Sequence, residues 1–182
     1  MTLGWIRNTA NLAAATLSRC HAIRTWQGNN WTEAQALARI YHHALPPPGN
    51  SREHTLAELT ALRPFVLLYT EQQDGLDLNR DTAGTDWAPR ASGHLVACFE
   101  ATIPTVDLAD PSKVMRDFEQ FLGLVIGTGN TNQPGLYELF GQPGELAGTR
   151  VVYRGSVRTE PEDVADLGDC LRGWLDLYWT MG

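Results

Sequence analysis

Apolar residues recur at helical intervals through residues 3–26, where Leu3, Ile6, Ala10, Ala13, Leu17 and Cys20 fall on one stripe with alanines between them. Gly28-Asn29-Asn30 breaks that pattern. Thr32 followed three residues later by Gln35 is a capping-box signature, and it predicts a second helix through Ala34, Leu37, Ala38, Tyr41 and Leu45, stopped by Pro46-Pro47-Pro48-Gly49. Thr55 with Glu58 predicts a third, short helix that turns Leu56, Leu59 and Leu62 inward and ends before Arg63-Pro64. The pattern then changes period. Phe65-Val66-Leu67-Leu68-Tyr69 is short, continuous and rich in strand formers. From 93 to 103, Leu95, Ala97, Phe99, Ala101 and Ile103 alternate with His94, Val96, Cys98, Glu100 and Thr102, predicting a strand with one core face and one mixed face.

Between these strands, residues 72–92 are dense in Asp, Gly, Asn and Pro and show no periodicity. A loop that long in a compact domain usually binds something. Asp110-Pro111 starts the best helix of the chain, with Val114, Met115, Phe118, Phe121, Leu122 and Val125 on one face and Gly127 as its stop. After a Gly-rich passage, residues 149–158 read as a third strand. Thr159 and Pro161 then open a closing helix, with Val164, Leu167, Leu171, Trp174, Leu175 and Tyr178 at spacings of three and four.

Together these elements predict an α+β fold: a small, mostly antiparallel sheet packed with helices, preceded by a helical N-terminal region and closed by a C-terminal amphipathic helix. The length of 182 residues suits a single domain, with residues 1–62 helical and residues 63–182 running strand, loop, strand, helix, strand, helix. A formal net charge of -7 argues against a protein that grips nucleic acid by neutralising phosphates. No apolar run is long enough to span a bilayer or to form a signal core, so the expected site of synthesis is the cytoplasm. Cys20, Cys98 and Cys170 are widely spaced and read as small core residues in a reducing compartment.

Clusters with chemical potential fail on spacing or order. Adjacent helical residues point about 100° apart, so His42 and His43 make a poor pair for one metal ion, with or without His54. Asp77, Asn79 and Asp81 match the first positions of a calcium loop, but Thr82 and Ala88 stand where glycine and a bidentate carboxylate are needed. Gly127-Thr128-Gly129-Asn130 follows a helix instead of leading into one, which removes a phosphate-binding reading. There is no G-x-S-x-G, and Glu160, Glu162, Asp163, Asp166 and Asp169 read as a solvated, helix-stabilising rim. No catalytic, cofactor or metal residue is therefore assigned, and the expectation is a protein that is not an enzyme. Of the six tryptophans, Trp26, Trp31 and Trp87 fall in or beside loops, where aromatics favour subunit contacts. The candidate interface is thus Trp26, Trp31, Asp77, Asn79, Asp81 and Trp87; the competing reading is that the tryptophans cap the core edges.

The succession of a helical region, Arg63-Pro64-Phe65-Val66-Leu67-Leu68-Tyr69, a loop, Gly93-His94-Leu95-Val96-Ala97-Cys98-Phe99-Glu100, a helix over 118–126, a strand over 150–157 and a closing segment Leu175-Asp176-Leu177-Tyr178-Trp179 resembles the tail terminator (tail completion) proteins of long-tailed bacteriophages. The resemblance lies in element order and texture. It implies a structural virion protein whose partner is itself, in a ring that is usually a hexamer. Such a ring caps the tail tube protein at the head-proximal end, joins it to the head-tail connector or stopper protein, and lets DNA pass through its lumen without specific binding. It implies no catalytic residues and no cofactor, and a location in the virion neck or tail after assembly in the host cytoplasm. The alternatives are another phage neck or minor tail component, a small cytoplasmic ligand-binding domain or enzyme with residues 72–92 as a lid, and a regulatory adaptor.

Overall fold

A computed structural model describes residues 3–49, 53–72, 91–103, 109–140, 149–153, 158–162 and 170–181. Helix α1 spans Leu3–Arg19 and α2 spans His21–Arg24, followed by a 3-10 turn at Trp26–Gly28. Helix α3 is Glu33–Leu37, strand β1 Ile40–His42, helix α4 Leu56–Leu62 and strand β2 Phe65–Gln72. Then come β3 at Ala91–Thr102, α5 at Pro111–Ile126, α6 at Leu136–Phe140, β4 at Thr149–Tyr153, β5 at Arg158–Glu162 and β6 at Cys170–Met181. The fold is α+β, and its six-stranded sheet runs β1-β2-β3-β6-β4, with β5 also pairing β6. Among the described residues, the β1–β2 pairing is parallel and the other strand pairings are antiparallel.

Register sorts the strands into rows. Val66, Phe99 and Gly173 lie side by side on β2, β3 and β6, as do Leu68, Ala97 and Leu175. With Ile40, Leu95, Ala101, Leu171 and Leu177 they form the core face. Onto it pack Ala14 and Leu17 from α1, Ile23 from α2, Val114, Phe118, Leu122 and Val125 from α5, and Leu136 and Leu139 from α6. The alternate rows, Phe65-Glu100-Arg172, Leu67-Cys98-Trp174 and Tyr69-Val96-Asp176, form a second face that mixes charge, sulfur and aromatic rings. The core face and mixed face expected of β3 are therefore both present, and all three cysteines are buried.

The closing helix expected over residues 159–178 is not found in the described part of that stretch, where β5 and β6 lie instead; residues 163–169, with Val164 and Leu167, are outside the described residues. Leu171 and Leu175 do satisfy a spacing of four, but so does a strand, and Leu171, Gly173, Leu175 and Leu177 are buried at a period of two. Gly173 decides the matter. It lies beneath α5, and a side chain there would collide with Phe118 and Leu122. A glycine that weakens a helix interior instead lets a helix settle closely onto a strand.

The second helix is likewise shorter than expected. Its capping box forms, with Thr32 Oγ1 accepting from the Gln35 amide and Gln35 Oε1 accepting from the Thr32 amide. The helix stops at Leu37, however, because Ile40, Tyr41 and His42 pair in parallel with Val66, Leu67 and Leu68. That ladder comes from a distant segment and overrides the helical spacing. Leu37, the last residue of the shortened helix, is 43% exposed. Helix α4 has its own capping box between Thr55 and Glu58, and it buries Leu59; Leu56, expected to turn inward, is instead 47% exposed at the first position of the helix. Asp110 caps α5 by accepting from the Lys113 amide, with Pro111 at the first helical position. The first helix breaks at Cys20, whose backbone is extended, and the His21 amide leaves the helical ladder to donate to the Pro134 carbonyl at 2.8 Å.

Candidate functional site

Trp26 begins the turn that follows α2, where Gln27 and Gly28 take left-handed backbone angles of φ 52° and 75°. The turn is tied to the sheet: Gln27 Nε2 donates to the Thr102 carbonyl at the end of β3, 2.6 Å away. This places the Trp26 ring against Phe121 of α5, stacked at 4.6 Å between centroids, and edge-on to Phe99 at 5.9 Å. Phe121 in turn stacks on Phe118 at 5.9 Å. Aromatic pairs in such geometries add to the stabilisation from burial alone. Trp26 is 6% exposed, which places it in the core edge and not on the open surface.

Beside this array runs a groove of about 310 Å³ between α2 with its turn and α5, lined by Trp26, Phe118, Phe121 and Leu124 with Gln27 and Asp117 at the rim. Asp117 pairs with Lys113 one helical turn away at 2.8 Å, and both are over half exposed. The groove is apolar in its floor and polar at its margin. That combination suits an apolar side chain or small molecule.

Trp31 is half-buried against the core, and the Arg39 guanidinium sits 5.8 Å above its ring. The same guanidinium donates to the Ala61 and Leu62 carbonyls at 3.3 and 2.8 Å, so Arg39 closes the C-terminal end of α4. Asp77, Asn79, Asp81 and Trp87 lie outside the described residues, as does nearly all of the 72–92 segment. The structure therefore places Trp26 and Trp31 on the helical layer and does not bear on the other four.

The second face of the sheet holds a charged group that sequence patterning gave no reason to single out. Glu100 is 5% exposed; its Oε1 accepts from Arg63 Nε at 2.8 Å, and its Oε2 accepts from Arg172 at 3.0 and 3.2 Å. Arg63 comes from the α4–β2 junction and Arg172 from β6, so one carboxylate on β3 ties the neighbouring strand β6 to the segment that leads into β2. Nearby, Trp174 Nε1 donates to the Tyr69 hydroxyl at 3.1 Å. Buried carboxylates need such partners, and two arginines meet the requirement.

A second anionic centre closes the helical layer. The Glu138 carboxylate accepts from the amides of Thr128, Gly129 and Gly135 at 2.7 to 3.1 Å. Desolvation works to raise its pKa, but the Gly129, Thr128 and Gly135 amides outweigh it and hold the carboxyl below its ordinary value. The Gly127–Asn130 turn thus does gather amides around an anion, but the anion is the chain's own side chain. Gly135 is required here, because a Cβ would fall 2.7 Å from the Leu124 carbonyl and 2.8 Å from Gly127. The signal in the sequence was Gly135 followed three residues later by Glu138, half of a capping box opening α6.

His42 lies in β1 rather than in a helix, and His43 turns away at φ 61°. Burial and the neighbouring His43 charge push the His42 pKa down. Among the described residues no three His, Cys, Asp or Glu side chains come together as a metal site. No protein-family model matches the chain, and no curated protein matches it.

Proposed function

We propose that this chain is a structural subunit that assembles into a ring at the head-proximal end of a phage tail, terminating the tail tube and joining it to the head connector. The observation that carries this reading is the order strand, long interstrand segment, strand, long capped helix and strand, which β2, β3, α5 and β4 realise on one mostly antiparallel sheet. With residues 170–181 a strand, these four elements carry the resemblance and the closing segment does not. The net charge of -7 suits a lumen that DNA passes without adhering. The expected result is a discrete ring-shaped oligomer by sedimentation velocity and negative-stain microscopy, which binds one end of tubes formed by the tail tube protein encoded near it and stops their elongation. A chain that stays monomeric at all concentrations and leaves tube growth unchanged would overturn the proposal.

The groove beside α5 favours a second reading, a small ligand-binding domain. A thermal-shift series with apolar aromatic compounds tests it: saturable stabilisation that Leu124→Asp abolishes supports this reading, and no shift with any compound opposes it.

A further inference from the structure

Residues 3–42 hold together as a body of their own. The Trp31 amide donates to the Arg24 carbonyl and Arg24 Nε donates to the Trp31 carbonyl, each at 2.9 Å, while α3 packs on α1 and α2. The contacts that seat this body on the rest of the chain are non-covalent: β1 lies along β2, Ala14, Leu17, Ile23 and Trp26 pack into the core, and the His21 amide and Gln27 Nε2 donate to the Pro134 and Thr102 carbonyls. With all three cysteines free, the backbone leaving β1 is the one covalent tie. That exit is strained. The Ala44 amide donates to the His42 carbonyl at 2.7 Å across His43, whose φ of 61° makes this a γ-turn of the rare left-handed kind at a residue that carries a Cβ. The turn serves to bring the chain out of β1 and back to α4 of the same copy. Pro46-Pro47-Pro48 follow, and three consecutive prolines favour a stiff, extended spacer of about 3.1 Å per residue over a flexible return.

We infer that residues 3–42 are exchanged between copies of this chain, the body of one copy seating on the sheet of the next with residues 43–48 as the hinge. The receiving surface is the one this body already covers within a single chain, so the β1–β2 ladder, the Trp26–Phe121 stack and the Gln27–Thr102 bond are remade between copies with no new interface. Only a second copy of the chain carries that complement. Exchange removes the reversal at His43 and keeps every other contact. The inference rests on the ring reading, which requires copies to associate, and it supplies their contact: each body passed to the next copy with a constant rotation closes a ring.

Tyr41 and Leu67 lie opposite each other on β1 and β2, so Tyr41→Cys/Leu67→Cys in the full chain places a disulfide across the boundary between body and sheet. The oligomer of this variant is isolated by size, oxidised and run on a denaturing gel without reductant. Exchange is expected to give covalent species of as many chains as the ring holds, and a covalent dimer with nothing larger would keep the exchange and remove the ring. Single chains alone from an intact oligomer would overturn the exchange and leave the ring reading standing. A wild type that is monomeric throughout removes both. His43 is exposed and gives a second measurement if the double variant folds poorly. His43→Gly relaxes the turn and is expected to move the association equilibrium about tenfold toward monomer, whereas His43→Val, which resists a positive φ, moves it about as far toward the oligomer. Equal populations in the wild type and both variants would overturn the exchange.

Discussion

Gly173 of β6 lies directly beneath Phe118 of α5: a Cβ built on the glycine would come 2.6 Å from the ring Cε1 and 2.9 Å from Leu122 Cδ1. Both neighbours are core residues, Phe118 4% and Leu122 0% exposed, so neither can swing into solvent. Gly173→Ala is expected to cost about 1–3 kcal/mol through overpacking, read as a lower urea midpoint with an unchanged slope. An alanine variant as stable as the wild type would mean that α5 does not rest on β6 at this distance.

The Arg63-Glu100-Arg172 group makes a different kind of demand. Arg63 and Glu100 side chains are 1% and 7% exposed, and removing the carboxylate leaves a buried guanidinium without this partner. Glu100→Ala should therefore cost about 3–5 kcal/mol, and Glu100→Gln less, since the amide keeps an acceptor oxygen. Replacing all three by Met, Leu and Met should recover much of the loss, because a well-packed apolar substitute avoids desolvating charge. Urea unfolding of the three variants distinguishes these outcomes; a loss under about 1 kcal/mol for Glu100→Ala matches an exposed pair instead.

Acid stability should report on the Glu138 amide cage. The folded-state pKa is depressed below the ordinary value of 4.5, so the carboxylate's contribution is present above that pH and is lost as pH falls through the folded value. Glu138→Gln should cost about 1 kcal/mol at neutral pH and flatten the fall in stability below pH ~4.5. Glu58, held down chiefly by the Thr55 and Gly49 amides, keeps its own share of the acid slope in that variant. Unfolding free energy followed from pH 7 to pH 3 in both proteins gives the comparison, and identical slopes would rule out the cage as a contributor.

What could be read in the sequence was whatever is specified locally. Thr32 with Gln35, Thr55 with Glu58, and Asp110-Pro111 each mark a helix start because the cap and its recipient amide lie within four residues. The alternation of β3 was legible for the same reason, since one strand carries its own period. Elements decided by remote partners were not. Ile40 is a strand residue because Val66 lies beside it, and Gly173 is one because Phe118 lies above it. At the candidate site, Trp26 and Trp31 were expected at an interface between subunits; within the chain Trp26 is buried against Phe121 and Trp31 lies beneath Arg39, contacts that no local pattern announces. Of the Glu138 cage only the Gly135–Glu138 half was locally specified; the Thr128 and Gly129 amides come from a more distant turn and have no letter in a sequence.

The place of β6 in the sheet has a consequence for how the chain is made. β6 pairs with β3 on one side and with β4 and β5 on the other, and five positions separate Tyr153 from Arg158 while their partners Leu177 and Trp174 are three apart. Every ladder joining the first half of the sheet to the second therefore runs through residues 170–181, which a ribosome delivers after all the strands they join. Until then the β3 edge waits open through the synthesis of α5, α6, β4 and β5, and the sheet closes in one late step built from distant contacts. That interval is when the nascent chain is most open to pairing with a neighbour's strand.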